Sequence, residues 1–146
     1  MSESKSLLEL SGVGIRFGGL VAVSGFDFSI STGELVGLIG PNGAGKTTVF
    51  NIITGVYAPS EGAVRFSGSS INGLAPNKIT AFGIARTFQN IRLFSSLSVV
   101  DNVRTALNLH LQTGMFGALW RGRKFREEEH RVRLEALELL EIFGLA

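Results

Sequence analysis

The pattern of apolar and polar positions divides the chain into a strand-rich first part and a helical second part. Leu7, Leu8, Leu10, Val13, Ile15 and Phe17 form a roughly alternating apolar run broken by Gly12 and Gly14. Phe26, Phe28 and Ile30 alternate strictly with Asp27 and Ser29. Period-two alternation predicts half-buried strands. Ser31-Thr32-Gly33-Glu34 predicts a turn. Leu35-Val36-Gly37-Leu38-Ile39 is nearly continuous, the pattern of a strand buried on both faces of a sheet. A helix is expected over Thr47 to Thr54, stopped by Gly55 at the C′ position. Ala63 to Phe66 predicts another strand, Pro76 to Phe82 a short helix ended by Gly83, and Ile84 to Gln89 a further strand.

Beyond that point the period changes. Ser98 and Asp101 have the spacing of a capping box, which predicts a helix through about Leu111. Gly114 to Gly122 is a connector rich in glycine and aromatics. From Phe125 onward the pattern is helical, with Glu127–Arg131 and Glu129–Arg133 as i,i+4 ion pairs. Leu134, Leu137, Leu140 and Phe143 supply the expected buried face, and Gly144 the stop. The expected organisation is residues 1–94 as an α/β core with a mixed sheet and 95–146 as part of a helical subdomain.

Composition narrows the classes. Apolar residues make up 45% of the 146 and charged residues 18%, enough for a buried core. The absence of cysteine excludes disulfides, thiolate catalysis and Cys-based metal sites. A formal charge of +2 argues little for nucleic acid as a partner. No apolar run reaches the roughly 18 residues of a membrane span, and the polar start Met1 to Lys5 does not read as a signal peptide. Arg121, Arg123, Lys124 and Arg126 lie beside Met115, Phe116, Leu119 and Trp120, as a membrane-surface anchor would require. Glu127, Glu128 and Glu129 follow immediately and cancel much of that field.

The chemistry is concentrated in one segment. Gly40-Pro41-Asn42-Gly43-Ala44-Gly45-Lys46-Thr47 matches G-x-x-x-x-G-K-[ST] in full, after an apolar run and before a helix. Glycines at these positions let backbone N–H groups turn inward around phosphate oxygens. The helix start adds partial positive charge. In such a loop Lys46 pairs with the β- and γ-phosphates, the Thr47 hydroxyl ligates Mg²⁺, and Thr48 adds a hydrogen bond to phosphate.

The loop Gly40–Thr48, with the residues between its fixed positions, resembles that of ATP-binding cassette (ABC) transporter ATPases. Arg86-Thr87-Phe88-Gln89 resembles their Q-loop, and Arg16-Phe17-Gly18-Gly19 stands where they carry an adenine-stacking aromatic. Phe17-Gly18-Gly19-Leu20-Val21-Ala22-Val23, Ala85 to Phe94 and Leu97 to Val103 are similar, more narrowly, to the ATP-binding subunit of branched-chain amino acid importers. The resemblance implies ATP and Mg²⁺ as cofactors, Phe17 stacked on adenine, and Gln89 touching Mg²⁺ or the attacking water. It implies transmembrane permease subunits and a second ATP-binding subunit as partners, a binding protein acting indirectly, and a peripheral place on the cytoplasmic face of the membrane.

The family also carries a Leu-Ser-Gly-Gly-Gln signature, a Walker B strand ending in Asp-Glu and a switch histidine. None of these is in the sequence, whose only aspartates are Asp27 and Asp101 and whose histidines are His110 and His130. The sequence therefore looks like the amino-terminal portion of a cassette, with hydrolysis by this stretch alone expected to be very weak. The alternative is a cut-down cassette that binds nucleotide and drives nothing. A GTPase is disfavoured because Asn77-Lys78 continues as Ile79-Thr80 and not as an Asn-Lys-x-Asp base reader.

Overall fold

The structure is a computed structural model and describes residues 6–88, 93–107 and 123–145. These fall into two units, residues 1–87 and 88–146.

In the first unit β1 (Ser6–Phe17) and β2 (Leu20–Ser31) form a long antiparallel hairpin in which Phe17 pairs with Leu20. The register slips between Leu10 and Val13, where Gly12 adopts φ 57°. There the Asp27 carboxylate accepts the Gly12 N–H at 2.7 Å, which gives this aspartate a structural role in the bulge. β3 (Glu61–Phe66) pairs with the other edge of β1, and β4 (Ser69–Ser70) with β3, so among the described residues the sheet runs β2-β1-β3-β4 and is antiparallel, not mixed as expected. The expected alternation holds on β2: Phe26, Phe28 and Ile30 are half-buried while Asp27 and Ser29 face solvent.

Two helices cover one sheet face. α1 (Lys46–Ile53) buries Val49, Ile52 and Ile53, and α2 (Pro76–Ala81) buries Ile79. With Leu10, Val13, Ile15, Val64 and Ile71 they make the core. Full burial of such side chains is worth about 1.5–3 kcal/mol each. Gly55 ends α1 in the left-handed region at φ 72°, where a Cβ would meet the Leu74 carbonyl oxygen at 2.5 Å. Only glycine joins that helix end to the loop before α2.

Two predicted strands do not form. The turn at Ser31 closes as expected, with the Glu34 N–H donating to Ser31 O at 3.2 Å. Leu35–Ile39 then runs as irregular chain, with Leu35 100% and Ile39 92% exposed. Residues 84–88 are irregular too. A strand exists only through ladder hydrogen bonds to a neighbour, and among the described residues neither segment has one. Between them lies an apolar cavity of about 460 Å³, lined by Phe26, Phe28, Ile30, Val36, Leu38 and Ile84 among others.

In the second unit α3 (Val99–Leu107) begins at the predicted cap: Ser98 Oγ accepts the Asp101 N–H at 3.1 Å and donates to the Asp101 carboxylate at 2.6 Å. The Ser98 hydroxyl and then the Arg104 guanidinium hold the Asp101 carboxyl below its usual range. Asn102 braces the preceding loop, its side chain accepting the Phe94 N–H at 2.9 Å and donating to Phe94 O at 3.1 Å. α4 (Arg123–Ile142) packs on α3. Its buried face is Val132, Ala136 and Leu140, with Leu137 half-buried; of the predicted set Leu137 and Leu140 face inward, while Leu134 is 48% and Phe143 76% exposed. An i,i+4,i+8 row is the narrow stripe that one neighbouring helix can cover. The ion pairs on this helix also differ from the i,i+4 pairs expected. Glu129 reaches across to Arg104 at 3.0 Å, and Arg131 faces Glu128 at 3.8 Å. The connector 114–122 and residues 108–111 of the predicted helix lie outside the described residues, as do the side chains of Arg121, Arg123 and Lys124.

Candidate functional site

The candidate site begins where the irregular run 35–39 turns into α1. The Ala44 N–H donates to Pro41 O at 3.3 Å, closing a turn around Asn42 and Gly43. Gly43 has φ 86°, the conformation a type II turn demands at that position. Gly45 is the N-cap of α1 at φ 80°; a Cβ there would sit 2.7 Å from the Ala22 carbonyl oxygen and 3.0 Å from Val23 Cγ2. The hairpin thus presses directly on the loop, and glycine is what permits the approach.

The start of α1 is left electropositive. Gly45 provides no side-chain cap and the first turn holds no acidic residue. The first-turn N–H groups have no intrahelical acceptor, and the helix dipole adds about half a positive charge there. The Lys46 ammonium folds back over the loop and donates to Gly40 O at 2.6 Å and Pro41 O at 2.7 Å. Thr47 is exposed and Thr48 half-buried. Gly40, Pro41, Asn42, Gly43 and Ala44 are likewise exposed.

The stretch from Asn42 to Thr48 lines a cleft of about 470 Å³, whose other wall is Phe17, Leu20, Val21 and Ala22. That volume lies in the range of small-molecule sites. Phe17 is 43% exposed. Its ring meets Tyr57 edge-on, with centroids 5.1 Å apart at 71°. The hairpin therefore brings Phe17 to the phosphate loop across more than twenty residues of sequence. Tyr57 as its support is a residue that sequence reasoning misses, since nothing in the local pattern after Gly55 marks it. Gln89 lies outside the described residues. No cluster of three or more His, Asp or Glu able to hold a metal occurs among the described residues. Thr47, in the first turn of α1, brings its hydroxyl-bearing side chain to the cleft described above.

A family model described as ABC transporter matches residues 23–145. The chain belongs to the ABC transporter family. Among curated relatives of this ABC chain, the high-affinity branched-chain amino acid transport ATP-binding protein BraF of Pseudomonas aeruginosa is 44% identical over 142 residues, covering 97% of this chain and 56% of the relative. The corresponding protein LivG of Escherichia coli K12 is 41% identical with the same coverage. Among solved structures, a nucleotide-free ATP-binding cassette from an ABC transporter superposes with a TM-score of 0.70 at 29% identity, over 96% of this chain and 56% of that one. A dimeric cassette in a post-hydrolysis state bound to ADP and Pi gives 0.67 at 26% identity, over 95% and 58%. The ABC chain thus has the α/β cassette fold and spans about half the length of the relatives it matches. No described helix is long and apolar enough to cross a membrane.

Proposed function

We propose that the chain is the nucleotide-binding portion of the energy-coupling ATPase subunit of a branched-chain amino acid importer, and that it binds MgATP at the Gly40–Thr48 loop. The carrying observation is the convergence of uncapped first-turn amides, the Lys46 ammonium and the exposed Phe17 ring on one cleft. The transported amino acid class rests on the names of the relatives.

In this reading the triphosphate seats on the amides between Gly40 and Thr48. Lys46 leaves the Gly40 and Pro41 carbonyls for the β- and γ-phosphates. The Thr47 hydroxyl holds Mg²⁺, which supplies charge neutralisation on the phosphate oxygens; Thr48 donates to phosphate. Phe17 stacks on adenine, with Tyr57 fixing the ring. Gln89 contacts Mg²⁺ or the attacking water. The partners are permease subunits at the cytoplasmic face of the membrane, a second ATP-binding subunit and, indirectly, a binding protein. The division into a core, 1–94, and part of a helical subdomain, 95–146, is part of the same proposal.

The sequence contains no Asp-Glu pair of the Walker B kind to order the metal's outer shell and water, nor a Leu-Ser-Gly-Gly-Gln segment. Phosphoryl transfer depends on positioning and charge stabilisation, so these 146 residues alone bind without appreciable turnover. Titration with a fluorescent ATP analogue, displaced by MgATP, tests the binding. Steady-state phosphate release tests the second statement, and sustained turnover would contradict it.

A further inference from the structure

α1 has no acidic residue in its first turn and no basic residue in its last. In the MgATP reading above, phosphate meets the need at the first end. At the other end the cation comes from outside the helix. The Arg86 guanidinium donates through Nη1 to Asn51 Oδ1 at 2.7 Å and to Thr54 Oγ1 at 3.2 Å. The Thr54 hydroxyl in turn donates to the Phe50 carbonyl at 2.7 Å. A positive charge is thereby relayed to the negative end of the helix dipole. Arg86 belongs to the irregular run 84–88, which has no strand partner among the described residues, so the guanidinium is a fixed point between that run and the helix.

Resting on the MgATP reading above, we propose that Arg86 is a positioning residue for the phosphate loop. Val49, Ile52 and Ile53 anchor one side of α1 in the core; the Arg86 clamp adds a polar fixed point at its C-terminal end. The lever is short but sensitive. From Thr54 back to Lys46 is roughly 12 Å at 1.5 Å per residue, so a tilt of about 5° moves the first-turn amides by about 1 Å. A displacement of that size spoils hydrogen bonds to phosphate oxygens.

The test uses inorganic tripolyphosphate and adenosine as separate probes, each displacing a fluorescent ATP analogue from the whole chain. Arg86→Ala is expected to weaken tripolyphosphate about threefold or more and leave adenosine unchanged. Asn51→Ala gives the same loss, the double variant loses no more than either single, and Arg86→Lys recovers part of the affinity. Should Arg86→Ala fail to fold, Asn51→Ala and Arg86→Lys carry the same comparison. Tripolyphosphate affinity unchanged in these variants, a parallel loss for adenosine, or additive losses overturn the clamp while the nucleotide site stands. If the unsubstituted chain takes up neither ATP nor tripolyphosphate, the MgATP reading falls and the clamp falls with it.

Discussion

Replacing Lys46 by Ala is the sharpest perturbation of the site. In the structure the ammonium makes two short bonds to the Gly40 and Pro41 carbonyls on an exposed loop. Binding exchanges these neutral acceptors for phosphate oxygens. A hydrogen bond with one ionised partner nets about 1.5–3 kcal/mol, and the ammonium makes such bonds to the carbonyls as well as to phosphate, so the gain on binding lies in the added charge–charge attraction. The Coulomb term for one cation near one phosphate charge at 4 Å is about 1–4 kcal/mol between bulk-water and near-surface dielectrics. Since the carbonyl bonds are given up, the net contribution is about 1.5–3 kcal/mol, or roughly a 10- to 150-fold loss of ATP affinity in Lys46→Ala. The fold barely changes, because the residue's bonds lie on the loop and the core does not include it. Displacement of a fluorescent analogue by MgATP, alongside a thermal melt, measures both. A loss below about threefold with an intact melt would refute the claim that the ammonium, poised over the loop, moves onto phosphate.

Three other substitutions probe different parts of the argument. Gly45→Ala forces a side chain into φ 80° against the Ala22 carbonyl; a loss of about 1–3 kcal/mol in denaturant unfolding is expected, together with loss of nucleotide binding. Tyr57→Ala removes the edge contact behind Phe17, worth about 0.5–1.5 kcal/mol. Adenosine affinity should fall roughly 2- to 10-fold while tripolyphosphate is unaffected. Asp101 has its carboxyl lowered, first by Ser98 and then by Arg104, so its contribution to the helical unit is present above the ordinary carboxylate pKa and is lost as pH falls through the lowered value. Melts from pH 6 to pH 2 should show this acid-side loss, and Asp101→Asn should remove it and lower stability at neutral pH.

Local chemistry accounts for what was legible beforehand. The alternation on β2, the helix of the phosphate loop, its Gly55 stop, the Pro76 helix and the Ser98–Asp101 cap all depend on residues within a few positions of each other. The misreadings share one cause. Leu35–Ile39 and residues 84–88 have strand-like composition, but a strand is a relation between two segments, and none of the described residues supplies the second. Leu140 is buried as expected, yet Leu134 and Phe143, apolar at plausible spacing, lie exposed while Val132 and Ala136 complete the buried row. Glu129 could not be assigned to Arg104 from a local i,i+4 rule.

The candidate site divides in the same way. By itself the sequence determined the phosphate loop, because its glycines, lysine and threonine act through backbone geometry and charge confined to one turn. The resemblance already pointed to Phe17, but tertiary structure alone decided that it stands across the cleft with Tyr57 edge-on behind it, and that the Arg86 guanidinium meets Asn51 and Thr54 at the far end of α1. Each of these depends on segments distant in the chain meeting at a few ångströms, and only the packing of the hairpin and helix on a common core sets that distance.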